Sequence, residues 1–166
     1  LRLDDQRGDE VGFAGGDRTD IELPATGEKR VKLSDYRGKN LVLYFYPKAS
    51  TPGCTQEGQD FRDAADAFAA ADTQILGASR DGIKAQESFK AKQSFPFDLL
   101  SDKDETLCKA FDVIKLKKMY GKESLGVERS TFLIDAEGVL RAAWRGVKVK
   151  DHVAAVLAAA QRLNAG

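Results

Sequence analysis

Few residues in this 166-residue chain can act as nucleophiles at neutral pH: two cysteines, Cys54 and Cys108, and one histidine, His152. Cys54 stands in Pro47-Lys-Ala-Ser-Thr51-Pro52-Gly53-Cys54-Thr55-Gln-Glu57, between an apolar run and a segment with helical spacing. A cysteine so placed falls in the first turn of a helix, where unpaired backbone N–H groups and the positive end of the dipole favour thiolate over thiol. The thiolate is the reactive form, so the chemistry to expect is attack by sulfur. Pro47 ends the preceding strand by withholding a donor, and Pro52 suits a first helical turn because it has no N–H to lose. An isolated cysteine is more often a small buried hydrophobe. Here Thr51, Pro52, Gly53 and Thr55 are neither apolar nor periodic, so nothing nearby asks for a core residue.

The elements that must hold this loop follow from periodicity. Residues 41–46, LVLYFY, are too short for an independent helix and read as a buried central strand. Tyr46 is expected to serve strand packing. Phe61, Ala64, Ala65 and Phe68 recur at helical spacing, predicting a long helix from the region of residues 51–54 to the polar AADTQ. QILGASR then predicts a strand, IKAQESFKAKQ a helix and FPFDLL a short strand. SDKDETLCKAF predicts a helix start, with a Ser-x-x-Asp capping pattern at Ser101. Upstream, IEL and RVKL separated by ATGEK predict a small hairpin; downstream, residues 130–135 (STFLID), AEG and VLRAAWRG predict another. A last helix is predicted from about residue 151 to 163. Residues 1–16 have no period and read as an irregular arm. The alternation of strand and helix argues an α/β sandwich in a single domain, 1–166.

Composition narrows the function. Lysine plus arginine (26) balance aspartate plus glutamate (26), so no net field draws the chain to nucleic acid or to an anionic membrane. Small, neutral substrates fit that surface better. No apolar run approaches the ~18 residues of a membrane span. Two cysteines and one histidine make neither a disulfide scaffold nor a zinc site of recognisable spacing. Such thiols suit a reducing compartment, and the cytoplasm is the expected location. The chain opens on Leu1 and its only methionine is Met119, so an initiator or leader is expected to have preceded it.

Pro47, Thr51 and Cys54, spaced Pro-x-x-x-Thr-x-x-Cys, match the active-site signature of peroxiredoxins, and TPGCT with Glu57 resembles the Q-type branch, the bacterioferritin comigratory proteins. LVLYFYPK, ILGASRD, FDLLSD, MYGKE and ERSTFLID resemble that branch in the same order, over roughly residues 21–163. The resemblance implies a thioredoxin-like three-layer sandwich with a central mixed sheet and an added N-terminal β-hairpin. It implies a thiol-dependent peroxidase that reduces hydrogen peroxide and organic hydroperoxides through a Cys54 sulfenic acid, with no cofactor and no metal. Carried over, Cys54 is the peroxidatic nucleophile and Thr51 offers a hydroxyl to the peroxide. Arg129 of ERSTF places a guanidinium beside the thiolate, and Pro47 shields the pocket. Glu57 helps hold the arginine, and backbone N–H groups near Gly53 and Cys54 face the leaving group. Taken alone, Arg129 would read as a surface ion pair with Glu128 or Glu57. Its planar fork can hold two oxygens at once, which a lysine cannot. The implied partners are a hydroperoxide and thioredoxin or another thiol reductant, and the implied state is a monomer.

The chain departs from that branch at the resolving cysteine. Many relatives carry it five residues beyond the nucleophile, where this sequence has Gln59; others place it in the following helix, where Glu87-Ser-Phe-Lys90-Ala-Lys has none. Cys108 is the remaining candidate. Leu107, Ala110 and Phe111 indicate that its helix face packs inward, so a buried structural thiol is expected, with a resolving partner as the alternative. The expected cycle uses one cysteine and an external thiol: thioredoxin, glutaredoxin with glutathione, or a small thiol. A two-cysteine cycle through Cys108 and a non-enzymatic thiol sensor are the alternatives. A cysteine hydrolase would need His152, which is expected to be a solvated surface histidine, and a disulfide oxidoreductase would need an absent Cys-x-x-Cys.

Overall fold

Six consecutive buried residues set the centre of the molecule: β3 (Asn40–Phe45) has no exposed position, as befits a strand covered on both faces. The computed structural model describes residues 18–166, and the arm expected over residues 1–16 lies outside them. Successive β3 side chains point to opposite faces. Leu41, Leu43 and Phe45 therefore enter one apolar cluster, while Val42, Tyr44 and the following Tyr46 enter another. β4 (Thr73–Ser79) runs parallel to β3, and β5 (Asp98–Ser101) parallel to β4. The chain crosses between them through α1 (Pro52–Asp63) with α2 (Ala65–Ala70), and then α3 (Ile83–Gln93).

On the other side of β3, β8 (Ser130–Ile134) pairs antiparallel, followed by β9 (Leu140–Arg145). The hairpin β1 (Glu22–Ala25) and β2 (Lys29–Lys32) attaches to β5, giving the sheet order β2-β1-β5-β4-β3-β8-β9. Phe61, Phe68 and Phe89, with Val153 and Val156 of α5 (His152–Ala165), cover the Tyr44 face. Leu33, with Leu107 and Cys108 of α4 (Thr106–Ala110), covers the Phe45 face. This is the thioredoxin-like arrangement: a mixed sheet between two helical layers, with an added N-terminal hairpin.

Four local readings differ from the sequence expectation. β1 runs through Pro24 instead of stopping before it; β5 reaches β1 only at Ala25, so the proline breaks no long ladder. The long helix is interrupted at Ala64, whose N–H is shared between the carbonyls of Asp60 and Phe61 as the turn tightens. Ser101 caps no helix. It ends β5 and donates its hydroxyl to the Asp81 carbonyl, while Asp102 accepts from the N–H groups of Leu107 and Cys108 at 3.1 and 2.7 Å. Last, an unexpected ribbon of β6 (Ile114–Met119) and β7 (Lys122–Val127) pairs apart from the main sheet. Tyr120 and Gly121 close it with φ of 54° and 78°, the double left-handed geometry of a tight hairpin. Ile114 and Leu116 alternate with lysines and pair with Val127 and Leu125, but Leu116 and Leu125 are exposed, so this short alternation marks no core-facing strand.

Candidate active site

The parallel crossover from β3 to β4 delivers the reactive loop to the C-terminal edge of the sheet, where α/β folds keep their working loops. Tyr46 still bonds the Ala78 carbonyl at 3.1 Å, and Pro47 then ends the pairing. Ala49 N–H donates to Asp81 Oδ2 at 2.8 Å, and the same oxygen accepts from Ser79 Oγ at 2.6 Å, so the end of β4 pins the loop. Thr51 precedes α1 in extended conformation, its hydroxyl donating to the Lys48 carbonyl at 2.7 Å. Thr55 N–H is the first to bond back, to Thr51 C=O at 2.8 Å. The N–H groups of Gly53 and Cys54 lie before that first helical bond and remain open to a ligand.

Cys54 is buried, with 1% of its surface exposed. Arg129, immediately before β8, reaches it from the neighbouring strand: Nη2 lies 3.6 Å from Sγ, and Nη1 donates to Glu57 Oε1 at 2.7 Å. Gly53 permits this approach, because a Cβ there would stand 3.1 Å from Nη2. Burial alone would lower the arginine's pKa, but Glu57 and Cys54 outweigh it and hold the guanidinium above its ordinary value. Glu57 has no exposed surface. Burial pushes its carboxyl up to about 7 against the pull of Arg129. Glu57 Oε2 and the Tyr44 hydroxyl are both buried without a hydrogen-bond partner among the described residues.

Cys54, Gly53, Glu57 and Arg129 are thus brought together, with Thr51 and Pro47 in the half-buried loop beside them. Cys108 is not among them. It belongs to the cluster on the Phe45 face, whereas Cys54 belongs to the cluster on the Tyr44 face, so the sheet stands between the two sulfurs. Burial, with Asp102 adding to it, pushes the Cys108 thiol far above its usual range. Gln59, at the place of the missing resolving cysteine, donates to Gln93 Oε1 at 2.8 Å. Tyr46 behaves as strand packing, its hydroxyl donating to Gln86.

His152 corrects the sequence reading, being buried rather than solvated. Its Nε2 is 2.8 Å from Thr131 Oγ1, and its ring meets Phe61 and Trp144 edge-on. Burial, and more weakly Arg129, lowers the imidazole to about 4. A neutral histidine partnered with threonine forms no dyad with Cys54. Sequence reasoning also passed over Ser79 and Asp81. Their signal was the polar SRD directly after ILGA, at the C-terminal end of a strand parallel to β3.

A cysteine at a helix start, flanked by a half-buried guanidinium on a thioredoxin-like sheet, defines the class of thiol-dependent peroxidases. The chain matches the AhpC/TSA family over residues 14–143. It is 56% identical over 138 residues to peroxiredoxin Bcp of Bacillus subtilis, covering 83% of this chain and 88% of that one. A solved structure of Xanthomonas campestris peroxiredoxin Q superposes with a TM-score of 0.88 at 51% identity, covering 94% of this chain and 99% of the other. Another, of the bacterioferritin comigratory protein of Xanthomonas campestris, gives 0.85 at 52% identity, over 89% and 94% of the two chains. The chain belongs to the AhpC/TSA family, in its Q-type peroxiredoxin branch, and is a thiol-dependent peroxidase.

Proposed function

We propose that Cys54 reduces hydrogen peroxide and organic hydroperoxides in a one-cysteine cycle that an external thiol completes. The carrying observation is the two-pronged arginine, with Nη2 3.6 Å from Sγ while Glu57 holds Nη1 at 2.7 Å. A fixed cation there faces the attacking sulfur and steadies charge on the departing oxygen. The thiolate attacks one peroxide oxygen and the O–O bond breaks. Sulfur is oxidised to sulfenic acid, and the other oxygen leaves as alkoxide or hydroxide and takes up a proton. The Gly53 and Cys54 N–H groups and the Arg129 fork face that leaving oxygen. Thr51, which donates to Lys48, keeps its oxygen lone pairs for the peroxide O–H. Pro47 shields the sulfur from water. Organic hydroperoxides fit the relative from Xanthomonas campestris, whose structures concern alkyl peroxide reduction.

Recycling condenses the sulfenic acid with an external thiol, releasing water and leaving a mixed disulfide, from which a second thiol frees Cys54. Thioredoxin or another thiol suffices as the reductant. Cys108, on the far face of the sheet, is a structural thiol. One chain holds Cys54, Glu57 and Arg129, which is consistent with a working monomer, and free thiols suit a cytoplasmic setting.

Mass spectrometry after one equivalent of peroxide tests the cycle. The modification should sit on Cys54, as sulfenic acid or joined to the added thiol. Cys54→Ser should abolish peroxide turnover and Cys108→Ser should retain most of it. A disulfide between Cys54 and Cys108, or equal losses in both variants, would overturn the one-cysteine cycle.

A further inference from the structure

Behind Cys54 the core contains two polar groups that the cycle above does not use in full. Tyr44 is on the β3 face that meets α1, and its ring stacks on Phe61 at 4.5 Å. Phe61 lies one turn beyond Glu57 on the same face of α1. Both Tyr44 and Glu57 have no exposed surface, and the phenol oxygen and Glu57 Oε2 are both without a partner among the described residues. Gly77 pairs with Tyr44 across the β3–β4 ladder, and a Cβ there would come within 3.0 Å of the ring carbon that bears the hydroxyl. The space at the tip of this ring is therefore set by a glycine, which fixes where the hydroxyl sits.

A buried phenol and a buried carboxylate oxygen left unserved each cost as much as a lost hydrogen bond or more. We propose that the Tyr44 hydroxyl serves Glu57 Oε2 through one bridging water, and is thereby a positioning residue for the Glu57–Arg129 pair that flanks Cys54. The inference rests on the role given above to Arg129. Burial, then Tyr46, Glu57 and Cys54, hold the Tyr44 phenol well above its usual pKa, so it stays an O–H donor at every working pH. The phenol donates to the water and the water to Oε2, which favours the carboxylate, the form that pairs with Arg129. The charged or titratable groups around the Tyr44–Glu57–Arg129 cluster are Tyr46 just after β3, against Tyr44; His152 from α5, against Arg129; and Cys54 and Asp60 from the helix of Glu57. The buried residues that α2 and α3 supply are uncharged: Phe68, Gln86 and Phe89.

The test follows the Glu57 carboxyl by carbon-13 NMR in the full chain labelled at glutamate, with Glu57→Gln identifying the signal. Tyr44→Phe keeps the ring and removes only the hydroxyl. It should move the Glu57 titration midpoint upward by roughly one pH unit or more, as expected for loss of a hydrogen bond to a charged group. The limb of the pH–rate profile that vanishes in Glu57→Gln should move the same way, and Tyr44→Phe should add nothing in that background. A midpoint unchanged in Tyr44→Phe overturns the proposal, as does an equal effect of Tyr44→Phe on the rate profile with and without Glu57. The NMR arm reads the carboxyl whether or not peroxide is turned over, so failure of the one-cysteine cycle would be seen separately.

Discussion

Arg129 works through geometry as much as through charge. One nitrogen is committed to Glu57 and the other is left for sulfur and for oxygens of the substrate. Arg129→Lys keeps the cation and loses the fork. Removal of one hydrogen bond to a charged group costs about 1.5–3 kcal/mol, or roughly 10–100-fold in rate. Stopped-flow measurement should show the peroxide rate constant falling within that range, and an unchanged constant would contradict the role given to the fork. At this scale the sequence was informative wherever residue type and spacing coincide with backbone geometry, as for Pro47, Thr51 and Cys54. It misled on His152, expected on the surface, since a lone histidine at a helix start carries no sign that Thr131 on β8 will pair with it in the interior. It misled at Ser101, because a cap depends on which side chain reaches the free N–H groups, and Asp102 reaches them instead.

The helix that carries Cys54 is tied down along its length. Glu57 holds Arg129, Gln59 bonds Gln93, and Arg62 Nη1 donates to the Gln93 carbonyl at 2.9 Å. Gly58 sits against the Phe95 ring, which leaves no room for a Cβ. On such a helix, residues five apart differ by about 140° around the axis, so their sulfurs meet only if the first turns unwind. Gln59→Cys removes one tie and supplies a thiol. Peroxide should then give a disulfide between Cys54 and the introduced cysteine, with less sulfinic acid than in the parent. Peptide mapping decides; sulfinic acid at Cys54 with the new thiol still free would mean that the remaining ties hold α1 closed. Elements with a strong apolar pattern were legible in the sequence: β3 as an unbroken apolar run, and α5 with Val153, Val156 and Ala160 at helical spacing. The β6–β7 ribbon was not, because its short alternation of Ile114, Leu116, Leu125 and Val127 stands among lysines and faces solvent at Leu116 and Leu125 instead of the core.

Two buried titrating groups give the whole molecule a hidden pH dependence. Glu57 is raised from 4.5 to about 7, so the native state holds the extra proton between those values and stability falls as pH rises through that window. His152 is lowered from 6.5 to about 4, so the unfolded state holds the extra proton and stability rises as pH rises through its window. Over the shared range the slopes oppose, and the parent protein should show a nearly flat stability. Removing either group exposes the other. Glu57→Gln should gain stability from pH 4 to 6.5, and His152→Asn should lose it from pH 4.5 to 7, by an amount on the order of a few kcal/mol. Urea unfolding midpoints across this range test the pair, and parallel slopes in the two variants would contradict it.

The β6–β7 ribbon also bears on how the protein behaves as a colloid. Among the described residues it pairs with no strand of the main sheet, and Leu116 and Leu125, opposite one another across it, face solvent with Tyr120 at the tip. Such a surface invites a second ribbon to add to its edge. Lys115, Lys117, Lys118 and Lys122 outnumber Glu123 there, so two ribbons meet as like charges. That repulsion fades once salt shortens the Debye length to a few ångströms. Light scattering of a concentrated sample should therefore rise with ionic strength. Salt, often added to keep proteins in solution, would here remove the barrier between one molecule and the next.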